Sequence, residues 1–478
     1  MKKYIGFVAI FLTTLLSCQN FLEETPEDFL GTNFYQNEKD ADIGLNGVFG
    51  QLQAQTYYQR TVWLITELTG EYLQTALVNA PRQELEHYTY TDTNSEINNW
   101  WRSAYSMINR ANDLIEKVPL IEMDEVKKNN IVGNARFLRG MAYFDLVRSF
   151  GDVPLVTVTI KSPSDDLRPS RTPIAEVYAQ IVEDLTFAEA NCLKESEIPA
   201  SEKGRISTGA ASAMLAKVYL TRATTSAAQP GDNEAALAAC NKVINSNEYK
   251  LLPTYSDIFD PEKENGEEHI FSIQFDLPPS IGNITIQMQY PAEKALVGGA
   301  GAGSFKVNPT FVESYAANDV RKAWNVSDSA GDKKLSNYFF YKYRDPIRQG
   351  NNSRANWLVL RYADVLLMQS EAINNIDPAN NEKFTGINLV RERAGLTMPL
   401  DAATVPTKED FIDALVDERA WELCLEGHRR FDLLRFGRLK EKQLETYGLN
   451  LEDKYLLFPI PQSETTLNPN LLPNNPGF

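Results

Sequence analysis

Between Glu418 and Arg435 the chain alternates acid with arginine: Glu418, Arg419, Glu422, Glu426, Arg429, Arg430, Asp432 and Arg435. Glu418, Glu422 and Glu426 are spaced by four, so successive members share a helix face. Two carboxylates facing each other across a cleft can hydrolyse a glycosidic bond. That chemistry needs one carboxyl with a raised pKa, and interleaved arginines lower carboxylate pKa values. The pattern therefore predicts salt-bridged scaffolding between helices. Asp319 and Arg321 read the same way.

Other reactive patterns are weak. The run Gly298-Gly299-Ala-Gly301-Ala-Gly303 lacks the following Lys-Ser or Lys-Thr of a phosphate cradle, and no clear strand precedes it. It reads as a mobile loop. His87, His269 and His428 are remote from one another and show no metal-ligand spacing. Asp328 to Asp332 is too short for a calcium loop, and no G-x-S-x-G elbow is present. No catalytic residue, metal ligand or cofactor is expected.

Aromatic side chains are the better candidates for binding. Trp324 stands near Asn325, Ser327, Asp328 and Gly331. An indole among polar groups suits a sugar, because its apolar face stacks on C–H groups while the neighbours bond hydroxyls. Tyr72, Tyr290 and Trp100 are further candidates for ligand contact. The opposing expectation is that most aromatics lie in the core or scatter over the surface. Trp100 and Trp101 are adjacent, so one is expected inside and the other could reach the surface.

The elements that must position these residues are mainly helices. Helical patterns run at about 38–54, 96–118, 125–149, 174–191, 208–224, 233–246, 356–375, 382–394, 408–426 and 428–440. The stretch from Asn134 to Phe150 is apolar nearly all round the helical wheel, which marks a buried helix. Its Arg136, Arg139 and Arg148 must reach solvent or pair with acids. Gly151 and Pro154 end it. Ser207 or Thr208 can cap the next-but-one helix, whose small residues allow close packing of helix axes. Short connections favour helical hairpins stacked in series, although no strict repeat is present. Two loop-rich inserts interrupt the pattern, at about 55–95 and 247–350. The first carries Tyr57, Tyr58, Trp63, Tyr72, Tyr88 and Tyr90; the second holds the strand-like Phe271-Ser-Ile-Gln-Phe275. Loops on a rigid scaffold are where binding residues collect.

The 478 residues have 43% hydrophobic and 23% charged content, ordinary for a globular protein, and a formal net charge of −17. That charge argues against nucleic acid and against attachment to an anionic membrane surface by charge alone. Lys2 and Lys3 precede an apolar run from Tyr4 to Leu16, long enough for a signal segment and short for a membrane span. Leu15-Leu16-Ser17-Cys18 then resembles a bacterial lipobox. Processing would leave a lipidated Cys18, and two or more acyl chains anchor stably. The alternative is an ordinary secretory signal with a chance cysteine. Cys192, Cys240 and Cys424 lie within helical patterns and are expected to be buried and unpaired.

Taken together, these segments resemble the SusD/RagB family of outer-membrane nutrient-uptake lipoproteins, over essentially the whole chain. The segments include Phe21-Leu22-Glu23 with Phe34-Tyr35, the helix Ala135 to Phe150 with Gly151-Asp-Val-Pro154, and Gly204-Arg-Ile-Ser207. Arg361-Tyr-Ala-Asp-Val-Leu-Leu367, the Glu418 to Gly437 cluster and Pro459-Ile-Pro461 continue the match. The resemblance implies a mostly α fold, a superhelix of tetratricopeptide-like helical pairs with irregular inserts and minor β structure. It also implies an outer-membrane protein that faces the cell exterior, captures oligosaccharide and acts as lid on a SusC-like TonB-dependent transporter. Residues 1–17 would be the signal peptide, 18–36 a lipidated tether and 37–478 one domain. Rival readings are a peptide-binding relative, a glycoside hydrolase and a passive helical adaptor.

Overall fold

Helix α1 (Glu38–Leu52) opens the part of the chain described by the computed structural model, residues 34–160 and 168–478. The expected signal segment and Cys18 lie outside these described residues. Asn37 and Asp40 form a capping box that starts α1. Short helices α2 (Thr61–Thr66) and α3 (Ala80–Glu86) flank strand β1 (Leu73–Thr75). Then follow α4 (Ser95–Lys117), α5 (Glu125–Phe150), α6 (Ile174–Asn191), α7 (Thr208–Arg222) and α8 (Asp232–Asn245).

The middle of the chain holds β2 (His269–Ile273), α9 (Thr285–Gln289), β3 (Phe305–Val307), α10 (Pro309–Ser314), α11 (Val320–Asn325), β4 (Val326–Ala330) and β5 (Lys333–Phe340). Strand β6 (Trp357–Arg361) leads into α12 (Tyr362–Ile376), α13 (Lys383–Arg393) and α14 (Lys408–Leu423). The last helices are α15 (Arg429–Arg435), α16 (Leu439–Tyr447) and α17 (Gln462–Leu467).

The long helices stack serially. Helix α4 packs on α5, α5 on α6, α6 on α7 and α7 on α8; α8 packs on α12, and α12 on α13 and α14. This is the expected mostly α series of helical pairs, with residues 246–361 as an excursion between α8 and α12. Within α5 every residue from Ile131 to Phe150 is buried except Arg136 and Arg148. Arg139 is buried and grips Asp184 with two hydrogen bonds, 2.8 and 2.7 Å. Arg148 donates to Asp145 at 2.7 Å and lies over the rings of Phe144 and Phe431. Gly151, at φ +72°, ends the helix as expected. Ser207 rather than Thr208 caps α7, accepting from the Ala210 amide at 3.0 Å.

Three helix boundaries differ from the sequence reading. Residues 357–361, expected as helix, pair antiparallel with β2, and the helix starts at Tyr362. The run Trp-Leu-Val-Leu is buried on both faces, and periodicity cannot separate a buried strand from a buried helix. Helix α14 stops at Leu423, where Leu425 takes a positive φ. The predicted helix at 428–440 breaks into α15 and α16 at Gly437, φ +70°.

The two inserts are also more ordered than expected. Strands β1, β3, β5 and β4 form one sheet in that order, and β2 with β6 another. Tyr57, Tyr58, Trp63, Tyr72, Tyr88 and Tyr90 are all buried. Cys192, Cys240 and Cys424 are buried and unpaired.

Candidate functional site

The acid and arginine cluster is a closed network inside the protein. Arg321 bonds Glu418 at 2.5 Å, Glu422 at 2.9 Å and Asp319 at 2.7 Å. Arg361 bonds Glu422 at 2.5 Å, Glu426 at 2.8 Å and Glu268 at 3.0 Å. Arg393 joins Glu268 to Glu422, Arg391 reaches Glu418 at 3.1 Å and Lys342 reaches Glu426 at 2.6 Å. Burial alone would raise the Glu422 carboxyl, but Arg393, Arg361 and Arg321 together hold it well below the usual carboxylate range. Burial likewise opposes Arg361 and Lys342 at Glu426, and the cations win there too. At Glu418 burial exceeds the pull of Arg321 and Arg391, and its carboxyl is raised. Each of the three carboxylates is occupied by cations on several sides. This is the scaffold that the sequence predicted, tying α14 to α11, α13, β6 and the loop before β2.

The candidate aromatics divide. Trp100 is fully buried; its Nε1 donates to Ser149 Oγ at 3.1 Å and its ring meets Tyr57. Trp101 is buried as well, edge-on to Phe150. Tyr72 is buried, donates its hydroxyl to Glu67 and packs on Phe311 and Phe340. Tyr290 is buried, with its hydroxyl donating to the Tyr343 carbonyl at 2.9 Å. None of the three candidates Tyr72, Tyr290 and Trp100 offers a ring face to solvent in this structure. Each closes a contact with a segment distant in sequence, which the local pattern did not reveal.

Trp324 is different. It stands on α11, half-buried, and lines a cavity of about 390 Å³ with Thr254, Ser256, Val320, Ala323 and Arg393. The Arg344 guanidinium lies over its ring at 3.6 Å and over the Tyr341 ring at 4.0 Å. Arg344 also donates to the Trp324 and Tyr341 carbonyls, at 3.0 and 2.8 Å. The indole is thus fixed by a cation–π stack of ~0.5–2 kcal/mol per contact. Its Nε1 and the Arg393 Nε are buried and have no hydrogen-bond partner among the described residues. The cavity therefore offers a partly exposed indole beside the hydroxyl-bearing Thr254 and Ser256, a lining that suits a ligand able both to stack and to hydrogen-bond.

The polar neighbours of Trp324 are not the expected ones. Asn325 is buried and bonds Tyr255, Tyr315 and the Trp421 carbonyl. Ser327 and Asp328 belong to the β4–β5 hairpin. Thr254, Ser256, Arg344 and Arg393 were missed. The one available signal was the aromatic and basic run from Tyr338 to Arg344.

The glycine run, expected as a mobile loop, is tied down. Gly301 donates to the Pro291 carbonyl at 2.8 Å and Gly303 to that of Tyr290 at 2.7 Å, while Arg348 holds the Gly298 carbonyl at 2.8 Å. A Cβ at residue 301 would stand 2.3 Å from the Tyr290 carbonyl oxygen, so close packing requires glycine there. His269 is buried between the Gly266 amide and the Ile258 carbonyl. Burial, then Lys217, brings His428 down to about 3, and it stays neutral beside Lys217.

Comparison with known proteins decides the family. The sequence model of the SusD family matches residues 316–478. A second one, described as starch-binding and associating with the outer membrane, matches residues 20–220. The chain belongs to the SusD/RagB family. It is 29% identical to SusD-like protein P2 of Formosa agariphila, over 100% of both chains. A SusD superfamily protein of Parabacteroides distasonis superposes with a TM-score of 0.80 at 28% identity, over 92% of this chain and 99% of that one. A laminarin-binding SusD-like protein superposes with a TM-score of 0.79 at 26% identity, over 93% and 100%. The SusD-type fold accounts for the serial helix pairs, and the Trp324 cavity lies on the excursion between α8 and α12.

Proposed function

We propose that this protein is a cell-surface lipoprotein that captures oligosaccharide at the Trp324 cavity and passes it, as a lid, to a SusC-like TonB-dependent transporter, with no catalytic step of its own. The observation that carries the binding site is the half-buried indole, braced by Arg344 and bordered by Thr254 and Ser256. A pyranose presents C–H groups to an indole and oxygens to donors, so this lining suits it. The laminarin binding of one similar structure and the starch-binding description of one matching family support a glycan as ligand. The lipobox-like Leu15-Leu16-Ser17-Cys18 supports the anchor. Against a glycosidase stands the state of Glu418, Glu422 and Glu426: buried and bonded to arginine or lysine, they have no room for substrate.

Calorimetric titration with laminarin and with soluble starch tests the site. Trp324→Ala is expected to weaken binding roughly ten- to thirtyfold, about 1–2 kcal/mol, the scale of a lost aromatic contact. Thermal unfolding should shift little, since a half-exposed residue contributes less than a core one. Equal affinity of variant and wild type would remove Trp324 from the site. Release of reducing ends during titration would instead establish hydrolysis.

A further inference from the structure

A second cleft, of about 500 Å³, opens between α1, the turn at residues 201–205 and the end of β2. It shares no lining residue with the Trp324 cavity. Its size is that of a small-molecule site, for which roughly 300–1,000 Å³ is usual. The turn is seated by Gly204, at φ +95°, where a Cβ would stand 2.5 Å from the Gln274 side chain. The positive φ favours glycine there, and the turn packs on Gln274, just past the end of β2, placing Arg205 at the cleft.

Arg205 is half-buried, and its guanidinium lies 5.0 Å from the centre of the half-buried Phe49 ring. Its one side-chain hydrogen bond among the described residues goes to Asn46 Oδ1, at 2.6 Å. Burial lowers its pKa, with Glu202 and Asp42 opposing. Most arginines of the core are saturated by carboxylates, whereas among the described residues this one has only Asn46 as a side-chain hydrogen-bond partner. Ser272, only 3% exposed, lines the same cleft, and its buried hydroxyl has no partner among the described residues. Asp42 is neutralised by Lys127 at 3.1 Å and Lys203 by Glu195 at 2.6 Å, which leaves Glu202 and Arg205, one of each sign.

We infer that this cleft is a second saccharide site, taking a neutral sugar unit that the Arg205 and Asn46 side chains hydrogen-bond beside the Phe49 ring. Planar amide, carboxylate and guanidinium groups present donors and acceptors in pairs, which match vicinal hydroxyls. An anionic ligand is disfavoured because Glu202 offsets Arg205. A peptide would need apolar pockets, and apart from Phe49 the apolar lining residues Leu52 and Ile273 are buried. The inference rests on the proposed glycan-binding function, while its test reads a separate part of the chain.

Hydrogen–deuterium exchange of the full protein, with laminarin, soluble starch and polygalacturonate each at saturating concentration, reads the two sites apart. Residues 46–53 and 201–205 report on this cleft; residues 253–256 and 320–324 report on the Trp324 cavity. Laminarin or starch is expected to slow exchange at 201–205 in both wild type and Trp324→Ala. Arg205→Ala and Asn46→Ala should each remove that slowing and leave the response at 320–324 in place. No slowing at 201–205 with either neutral polysaccharide overturns the second site, whatever happens at 320–324. Slowing with polygalacturonate alone overturns the neutral class. Slowing at 201–205 without any at 320–324 would keep this cleft and dismiss the Trp324 cavity as the main site.

Discussion

Glu422 is the residue on which most of the buried charge depends, because Arg321, Arg361 and Arg393 all converge on it. Removing it leaves three guanidinium groups short of a partner in a site closed to water. Glu422→Ala should cost about 3–5 kcal/mol, the usual penalty for breaking a buried pair from one side, read from urea unfolding midpoints. The sign with pH follows from its lowered carboxyl pKa. The folded state binds this proton more weakly than the unfolded chain, whose glutamate titrates near about 4.3. The contribution is therefore present above that value and lost as pH falls below it toward the folded pKa. Wild type should lose stability steeply below about pH 4, and Glu422→Gln should show a shallower acid limb. An identical acid limb in both proteins would mean that Glu422 is not ionised in the fold.

At the scale of elements, helix contacts rest on positions where a side chain is either essential or intolerable. Leu138 on α5 is fully buried, and Leu138→Ala should cost about 2–5 kcal/mol through lost burial and a residual cavity. A change under about 0.5 kcal/mol in the denaturant midpoint would contradict the packing of α5. Gly386 tests the converse. It lies inside α13, where alanine would gain about 1 kcal/mol by helix propensity. Yet a Cβ there would stand 2.5 Å from the Leu366 carbonyl oxygen and 2.9 Å from Ser370 Oγ on α12. The backbone oxygen cannot swing away, so overpacking of about 1–3 kcal/mol should win and Gly386→Ala should destabilise. A stabilised variant would show that α12 and α13 separate easily.

For the whole molecule, a net charge of −17 and a stacking-based site carry one consequence. Binding of a neutral glycan releases no counterions, so affinity for laminarin should change less than about twofold between 50 and 500 mM salt. A steep salt slope would point to an ionic ligand. The proposed anchor is a second property at this scale. Cys18→Ala should abolish lipid labelling and shift the protein out of the membrane fraction. Retention of that variant in the outer membrane of cells lacking the transporter would dismiss the lipobox reading.

The positions of most long helices, the buried character of Asn134 to Phe150, a cap at Ser207 or Thr208 and the stop at Gly151 were legible from the chain alone. These depend on local spacing, cap chemistry and backbone conformation, which the sequence states directly. The scaffolding role of Glu418, Glu422 and Glu426 was legible too, because like-spaced acids among arginines have one low-energy use. Tertiary structure decided the rest. Whether Trp357 to Arg361 forms strand or helix depended on the β2 partner, which supplies the hydrogen bonds. Whether Trp100, Tyr72 or Tyr290 met solvent depended on Ser149, Phe311 and Tyr343, brought to them by folding. Trp324 stays only half-buried because α11 borders a cavity, although Arg344 covers one face of its ring. Burial of a ring is a property of the surfaces that close on it, and those surfaces come from distant parts of the chain.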